Sequence, residues 1–313
     1  MTESASAQPR EFLPLDSTAQ LLTRITAQLG TQLSHVSLNG TRRPPMHRTI
    51  RPAPGATIAP ALVAVAHGSR DPQALRTVVK LLDRVRELRP GLDVRLGHIE
   101  LNEPLLPSTL TGLGSGDAVL VPLLLGRGHH VKHDIPAAVA AAPALRTTIA
   151  APLGPHPLLV EALYGRLLEA GWPTEETVSG SSAVVLAAAG SRDPDSAADT
   201  RRTARMLSER LGGVPVVPAY ASAADPTISA ATRALAARGR HRIAVASYFT
   251  APGRFATAAA AAAPGIAAAP LGAHPAMARL ILHRYDRALA GQARSGAHEA
   301  HESAVNGALL ASA

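Results

Sequence analysis

The pentapeptide GSRDP occurs twice in this chain, at residues 68–72 and again at residues 190–194. A motif that returns in a long, continuous register marks a duplicated folding unit, which restricts the chain to architectures with two similar halves. Setting His67 on Ala189 shifts the chain by 122 residues, and the register continues downstream. "GHIELNEPLL" falls on "AYASAADPTI", "DAVLVPLLLGRGHHV" matches "HRIAVASYFTAPGRF" after a small shift, and "IAAPLGPHPLL" matches "IAAAPLGAHPAM". One unit has been copied, and the copies differ where chemistry could reside.

Each copy repeats one order of elements. A short apolar strand (residues 62–66 and 184–188) enters the GSRDP turn, followed by a long helical pattern (74–88 and 197–211). A second strand is expected at 94–99 and 214–220, then a helix after Glu-Pro or Asp-Pro. A buried strand at 118–125 and 243–249 follows, then a helix, a strand ending at Leu-Gly-x-His-Pro, and a closing helix. Alternating strands and helices predict an α/β fold: two tandem lobes, each a parallel sheet with helices on both faces. The lobes are expected at 58–173 and 180–292. Residues 1–57, rich in Pro, Ser, Thr and Arg, read as a linker with one short amphipathic pattern at Leu21, Leu22, Ile25 and Leu29, and 293–313 read as a tail.

Composition narrows the chemistry. The 313 residues include no cysteine, which excludes disulfides, thiolate metal sites and cysteine nucleophiles. Any metal must be held by His, Asp, Glu or water. Aromatics are 3% and alanine is abundant, so the cores are built of small aliphatic side chains that let helices approach sheets closely. The net charge of +8 includes no dense basic block and little aromatic surface for base stacking, so nucleic acid is not expected as a partner. The start "MTESASAQPREFLPLDS" has no apolar signal core and no apolar run reaches membrane-spanning length, so a cytoplasmic location is expected.

In parallel α/β folds, ligands bind beyond the carboxyl ends of the strands. His67 follows the first strand, Glu100 the second, and "GRGHHVKHDIP", with His129, His130 and His133, follows the third. Neutral imidazoles suit Fe, Co, Ni or Zn ions, and a carboxylate beside them can ligate or accept protons. GSRDP has two readings: a strand-to-helix turn with Asp71 as N-cap before Pro72, or an anion contact through Ser69 and Arg70. Glu103, with Asp225 as counterpart, is expected to start the next helix, and His98 either lines the cleft or packs inward. His156 and His274 stand in both copies and read as structural helix starts. The second copy has Ala189 for His67, Ser222 for Glu100 and Arg254 for His130, so one site per chain is expected.

"VAVAHGSRDP", "GHIELNEP", "VPLLLGRGHHVKHDIP" and "PLGPHPLL", in that order over about residues 60–290, resemble the sirohydrochlorin chelatases, the class II cobalt or iron chelatases of cobalamin and sirohaem synthesis. The resemblance implies a two-lobed chelatase fold whose inter-lobe cleft binds a modified tetrapyrrole. It implies His67 and His130 as metal-handling residues and Glu100 as their acidic partner. Ser69, Arg70, Arg127, Lys132 and Arg254 are then the candidates to meet the substrate. The divalent metal (Fe2+, Co2+ or Ni2+) enters as substrate, with no organic cofactor. A monomer is expected because both lobes lie in one chain. A non-catalytic metal or tetrapyrrole carrier on the same fold is the alternative, whereas a nucleotide-binding module would need a glycine fingerprint that is absent.

Overall fold

The computed structural model describes residues 59–173, 180–222 and 224–311, with side chains through residue 294. The leader 1–57, with its amphipathic pattern, lies outside the described residues. In the first lobe, β1 (Ala61–Ala66) leads to α1 (Pro72–Leu88), β2 (Val94–His98), α2 (Leu106–Leu113) and β3 (Gly116–Pro122). A π-helical turn (His130–Asp134), α3 (Ile135–Ala140), β4 (Leu145–Ile149) and α4 (Pro157–Glu169) complete it. The second lobe repeats the plan with β5 (Ser182–Ala188), α5 (Pro194–Arg210), β6 (Val216–Tyr220), α6 (Ile228–Ala236) and β7 (Arg242–Ser247), then α7 (Arg254–Ala261), β8 (Ile266–Ala267) and α8 (Pro275–Ala311).

Each lobe is a four-stranded parallel sheet, ordered β2-β1-β3-β4 and β6-β5-β7-β8. Both faces of β1 are covered, which is why the strand reads as an unbroken apolar run. Leu62, Ala64 and Ala66 pack with Leu81, Leu82 and Val85 of α1, while Val63 and Val65 face Leu106, Leu110 and Ile135 on the other side. The first of these cores does not stop at the lobe boundary. It continues through Val184, Leu186 and Ala188 of β5 into Met277 and Ile281 of α8.

The closing helices carry this shared core by exchanging sides. Helix α4, which ends the first lobe, packs on α5 and β7, while α8, which ends the second, packs on α1, β3 and β4. Polar contacts repeat the exchange. Arg166 of α4 donates to the Leu271 carbonyl at 2.9 Å, and Arg284 of α8 donates to the Leu153 carbonyl at 3.1 Å. Tyr285 donates to the Pro60 carbonyl at 2.6 Å.

Several sequence expectations differ in detail. Residues past 292, read as a tail, continue α8 to Ala311, as an alanine-rich stretch without proline allows. The fourth strands end before Leu-Gly-x-His-Pro. Glu103 does not cap α2: Pro107 in the first turn sets the start at Leu106, and the Glu103 carboxylate accepts from the Leu105 amide at 2.9 Å. In the second copy Thr227, not Asp225, is the N-cap, accepting from the Ala230 amide.

Candidate active site

In each sheet the strand order reverses between the first and third strands, and a crevice opens at such a switch point beyond their carboxyl ends. Register fixes what stands there. Ala66 of β1 pairs with His98 of β2, and the ladder runs on past both strands: the Ile99 amide donates to the Ala66 carbonyl and the Glu100 amide to the His67 carbonyl, at 2.9 and 3.0 Å. On the other flank, the Leu123 amide donates to the Val65 carbonyl. His67 is thus held between the outgoing ends of β2 and β3, which bring Glu100 and the histidine-rich turn to it.

The three residues meet. His67 Nδ1 lies 3.5 Å from Glu100 Oε1, and the His67 and His130 rings stand edge-on with centroids 4.6 Å apart. Their side chains are 44%, 51% and 35% exposed for His67, Glu100 and His130, so the cluster opens to a ligand rather than lying in the core. His130 Nδ1 is 2.5 Å from Asp134 Oδ2. A carboxylate oxygen accepts, so Nδ1 is the donor of this bond and Nε2 is the ring nitrogen left to face a metal. The sequence reading did not include Asp134. His129 and His133 stack at 4.6 Å further out, with His129 Nε2 3.8 Å from the other Asp134 oxygen. Among the described residues no three His, Asp or Glu side chains form a ready-made metal cage. The arrangement therefore offers a pair of imidazoles and an acid to an ion that other ligands must complete.

The GSRDP turn shapes this end of the sheet in both copies. Asp71 accepts from the Gln73 amide and Asp193 from the Asp195 amide, while Ser69 and Ser191 each accept from the following Asp amide at 3.1 Å. Gly68 has φ +104°, and a Cβ there would fall 1.8 Å from the Glu100 carbonyl oxygen. Only glycine lets the β1 and β2 ends close up. Asn102, also missed from sequence, locks the same junction by accepting from the Ser69 amide at 2.6 Å. Both missed residues are lost in the second copy, which has Ala224 for Asn102 and Ala258 for Asp134.

Other candidates fall in different places. Arg127 and Lys132, candidates to meet the substrate, are engaged by acids of the second lobe. Arg127 grips buried Asp199 through three donors, and Lys132 reaches Asp193 and Asp195 at 2.9 and 2.8 Å. Hydrogen bonds to these acids raise the Lys132 pKa, and those from Lys132 lower the pKa of Asp193 and Asp195. The pairs fasten the histidine turn of one lobe to the GSRDP turn of the other. The reciprocal approach brings Gly253, just before Arg254, beside Ser69. Arg70 and Arg254 are exposed, and the Arg254 guanidinium lies 4.7 Å from the Phe255 ring centre. His98 is buried at 2% exposure against the Pro104 carbonyl, and desolvation lowers its pKa. His156 and His274 cap α4 and α8, each accepting an amide on Nδ1.

A family model described as CbiX matches residues 61–170 and 183–288, covering both sheets and most of the chain. The chain belongs to the CbiX family. Among relatives of this CbiX-family chain, a sirohydrochlorin ferrochelatase of Bacillus subtilis (strain 168) is 30% identical over 173 residues, 53% of this chain and 64% of that protein. A sirohydrochlorin cobaltochelatase of Priestia megaterium is 26% identical over 197 residues, 60% of this chain and 63% of that protein. The chain thus spans less than two thirds of the length of either relative. SirB from Bacillus subtilis with Fe3+ superposes with TM-score 0.59 at 24% identity, over 73% of this chain and 94% of that one. The structure of CbiX, the terminal enzyme for biosynthesis of siroheme in denitrifying bacteria, gives 0.54 at 24% identity over 71% and 98%. These likenesses show that the CbiX-family fold is the one found here. No helix among the described residues is long and apolar enough to cross a membrane.

Proposed function

We propose that this protein inserts a divalent metal, Fe2+ or Co2+, into sirohydrochlorin or a closely related tetrapyrrole, in sirohaem or cobalamin biosynthesis. The observation that carries the reading is the meeting of His67, Glu100 and His130 at the switch point of one lobe, while the other lobe has Ala189, Ser222 and Arg254 in their places. The names of the relatives, ferrochelatase and cobaltochelatase, support it.

Insertion breaks two pyrrole N–H bonds, forms metal–nitrogen bonds and releases two protons, with no change of oxidation state. His130, its Nδ1 proton held by Asp134, presents Nε2 to the incoming ion beside the His67 ring. The two imidazoles and the acid leave the rest of the coordination sphere to water and to the macrocycle nitrogens that take the ion over. Glu100, 3.5 Å from His67 and half exposed, accepts protons and passes them to water. Ser69 and Arg70 of the first GSRDP turn, with Arg254 next to the Gly253 that approaches Ser69, meet the peripheral carboxylates, while Arg127 and Lys132 hold the histidine turn against the second lobe. The metal is a substrate, and no organic cofactor or ATP takes part. Both lobes lie in one chain, so the cleft is complete in a monomer, and the cytoplasm is its compartment.

The test is a visible-band insertion assay with sirohydrochlorin and Co2+ or Fe2+. Turnover well above the spontaneous rate is expected, lost in both His67→Ala and His130→Ala. Full activity in both variants would refute the site, and a wild-type rate equal to the spontaneous one would make the protein a carrier.

A further inference from the structure

Leu101 follows Glu100 and is the single non-glycine residue with positive φ among those described, at +67°. The Asn102 amide donates to the Glu100 carbonyl at 2.8 Å, closing a γ-turn around Leu101, a geometry that is rare and strained. The turn is pinned from both sides, by the Glu100 amide on the His67 carbonyl and by the Ser69 amide on Asn102 Oδ1. The bond itself does not require a leucine, because the second copy also has one from the Ala224 amide to the Ser222 carbonyl. The side chain is a separate matter. The second copy, which lacks the histidines, has Ala223 there, whereas the first holds a leucine that is 52% exposed. An exposed leucine alone is ordinary. One placed in a left-handed turn, where glycine, asparagine or aspartate would sit more easily, beside the acid of the cluster, needs a reason that folding does not provide.

We propose that Leu101 is a substrate-binding residue: an apolar rest for a flat face of the macrocycle, set at the rim by the strained turn so that the pyrrole nitrogens come under His67 and His130. This deepens the chelatase reading and rests on it. Glu100 and Leu101 then divide the work between adjacent positions, the first receiving protons and the second holding the ring system that releases them.

The experiment is anaerobic titration of the full chain with metal-free sirohydrochlorin, followed by visible absorption, alongside thermal unfolding. Burying part of one leucine predicts roughly tenfold weaker binding for Leu101→Ala and Leu101→Gly. Leu88→Ala, which removes an equally exposed leucine at the end of α1, is expected to bind as wild type. Leu101→Gly separates binding from packing, because glycine relaxes the turn and raises the unfolding midpoint while affinity falls. A purely structural leucine would lower both. Wild-type affinity in Leu101→Ala overturns the inference while leaving the chelatase reading intact. A wild-type chain that binds no sirohydrochlorin overturns that reading and this inference with it.

Discussion

Asp134 Oδ2 sits 2.5 Å from Nδ1 of His130, across a π-helical turn closed by the Ile135 amide on the His130 carbonyl. Such turns gather at functional sites, and here the turn ties a ligand-type imidazole to an acid four residues on. Outer partners of this kind set the tautomer and orientation of a metal-facing histidine. Their loss generally costs 10–100-fold in metal affinity or activity, so Asp134→Ala is expected to lose about that much insertion rate. Asp134→Asn, whose amide oxygen still accepts from Nδ1, should lose less. Insertion kinetics with Co2+ would rank the three proteins, and wild-type rates in Asp134→Ala would show that His130 is oriented by something else.

The duplicated glycines provide a matched pair. Gly68 and Gly190 share a left-handed φ, +104° and +93°, but a Cβ on Gly68 would strike the Glu100 carbonyl at 1.8 Å, whereas one on Gly190 meets nothing nearer than 3.3 Å. Gly190→Ala should therefore cost mainly the conformational penalty, about 1–2 kcal/mol, with Ser222 and Tyr220 giving way by a few tenths of an ångström. Gly68→Ala must also push the β2 end away from β1, so it should cost more than about 3 kcal/mol and abolish insertion. Urea unfolding of both variants checks the order. Equal losses would mean that the junction yields without strain.

Tyr248 crosses between lobes. Its hydroxyl, on a side chain buried at 5% exposure, donates to the Leu125 carbonyl at 2.8 Å, close to the chain that leads into the histidine turn. Desolvation raises its pKa, so the hydroxyl keeps its proton, and remains a donor, at neutral pH. Tyr248→Phe keeps the packing but leaves a carbonyl without its partner, a loss of about 1–3 kcal/mol. Denaturant titration would measure it, and a neutral result would mean that water reaches Leu125.

Much of this was legible in the sequence because it is local. The strands and long helices follow from apolar periodicity, the Asp71 and Asp193 caps from Asp-Pro, and His67, Glu100 and the histidine-rich turn from their positions after three strands of one repeat, whereas the choice of His130 within that turn comes from the family resemblance. What was not legible depends on distance along the chain. Nothing near Arg127 or Lys132 announces that acids 61 to 72 residues away will bind them. Nor can repeat order reveal that α4 and α8 exchange lobes. Asn102 and Leu101 escaped for a different reason: their roles come from a backbone turn whose φ no side-chain pattern encodes. The second copy could have pointed to Asp134, since Ala258 stands in its place beside Arg254.

The helix-capping histidines make stability depend on pH in a stated direction. Burial, reinforced by nearby Arg284 and His283, pushes His156 down from 6.5 to about 4, and burial lowers His98 and His274 as well. The unfolded chain protonates these rings first, so on acidification it takes up protons that the native state refuses. Their contribution is complete above pH 6.5 and is lost progressively as pH falls from 6.5 toward 4. Asp193 and Asp195, lowered by Lys132, add a loss of the same sign at still lower pH. His156→Asn isolates the first effect, because asparagine can still accept from the Leu158 amide as an N-cap but does not titrate. Its unfolding free energy should fall less steeply than that of wild type between pH 6.5 and 4, while the two proteins stay parallel above pH 7. Urea midpoints measured across that interval provide the comparison, and identical slopes would show that His156 protonates in the native state as readily as in the unfolded chain.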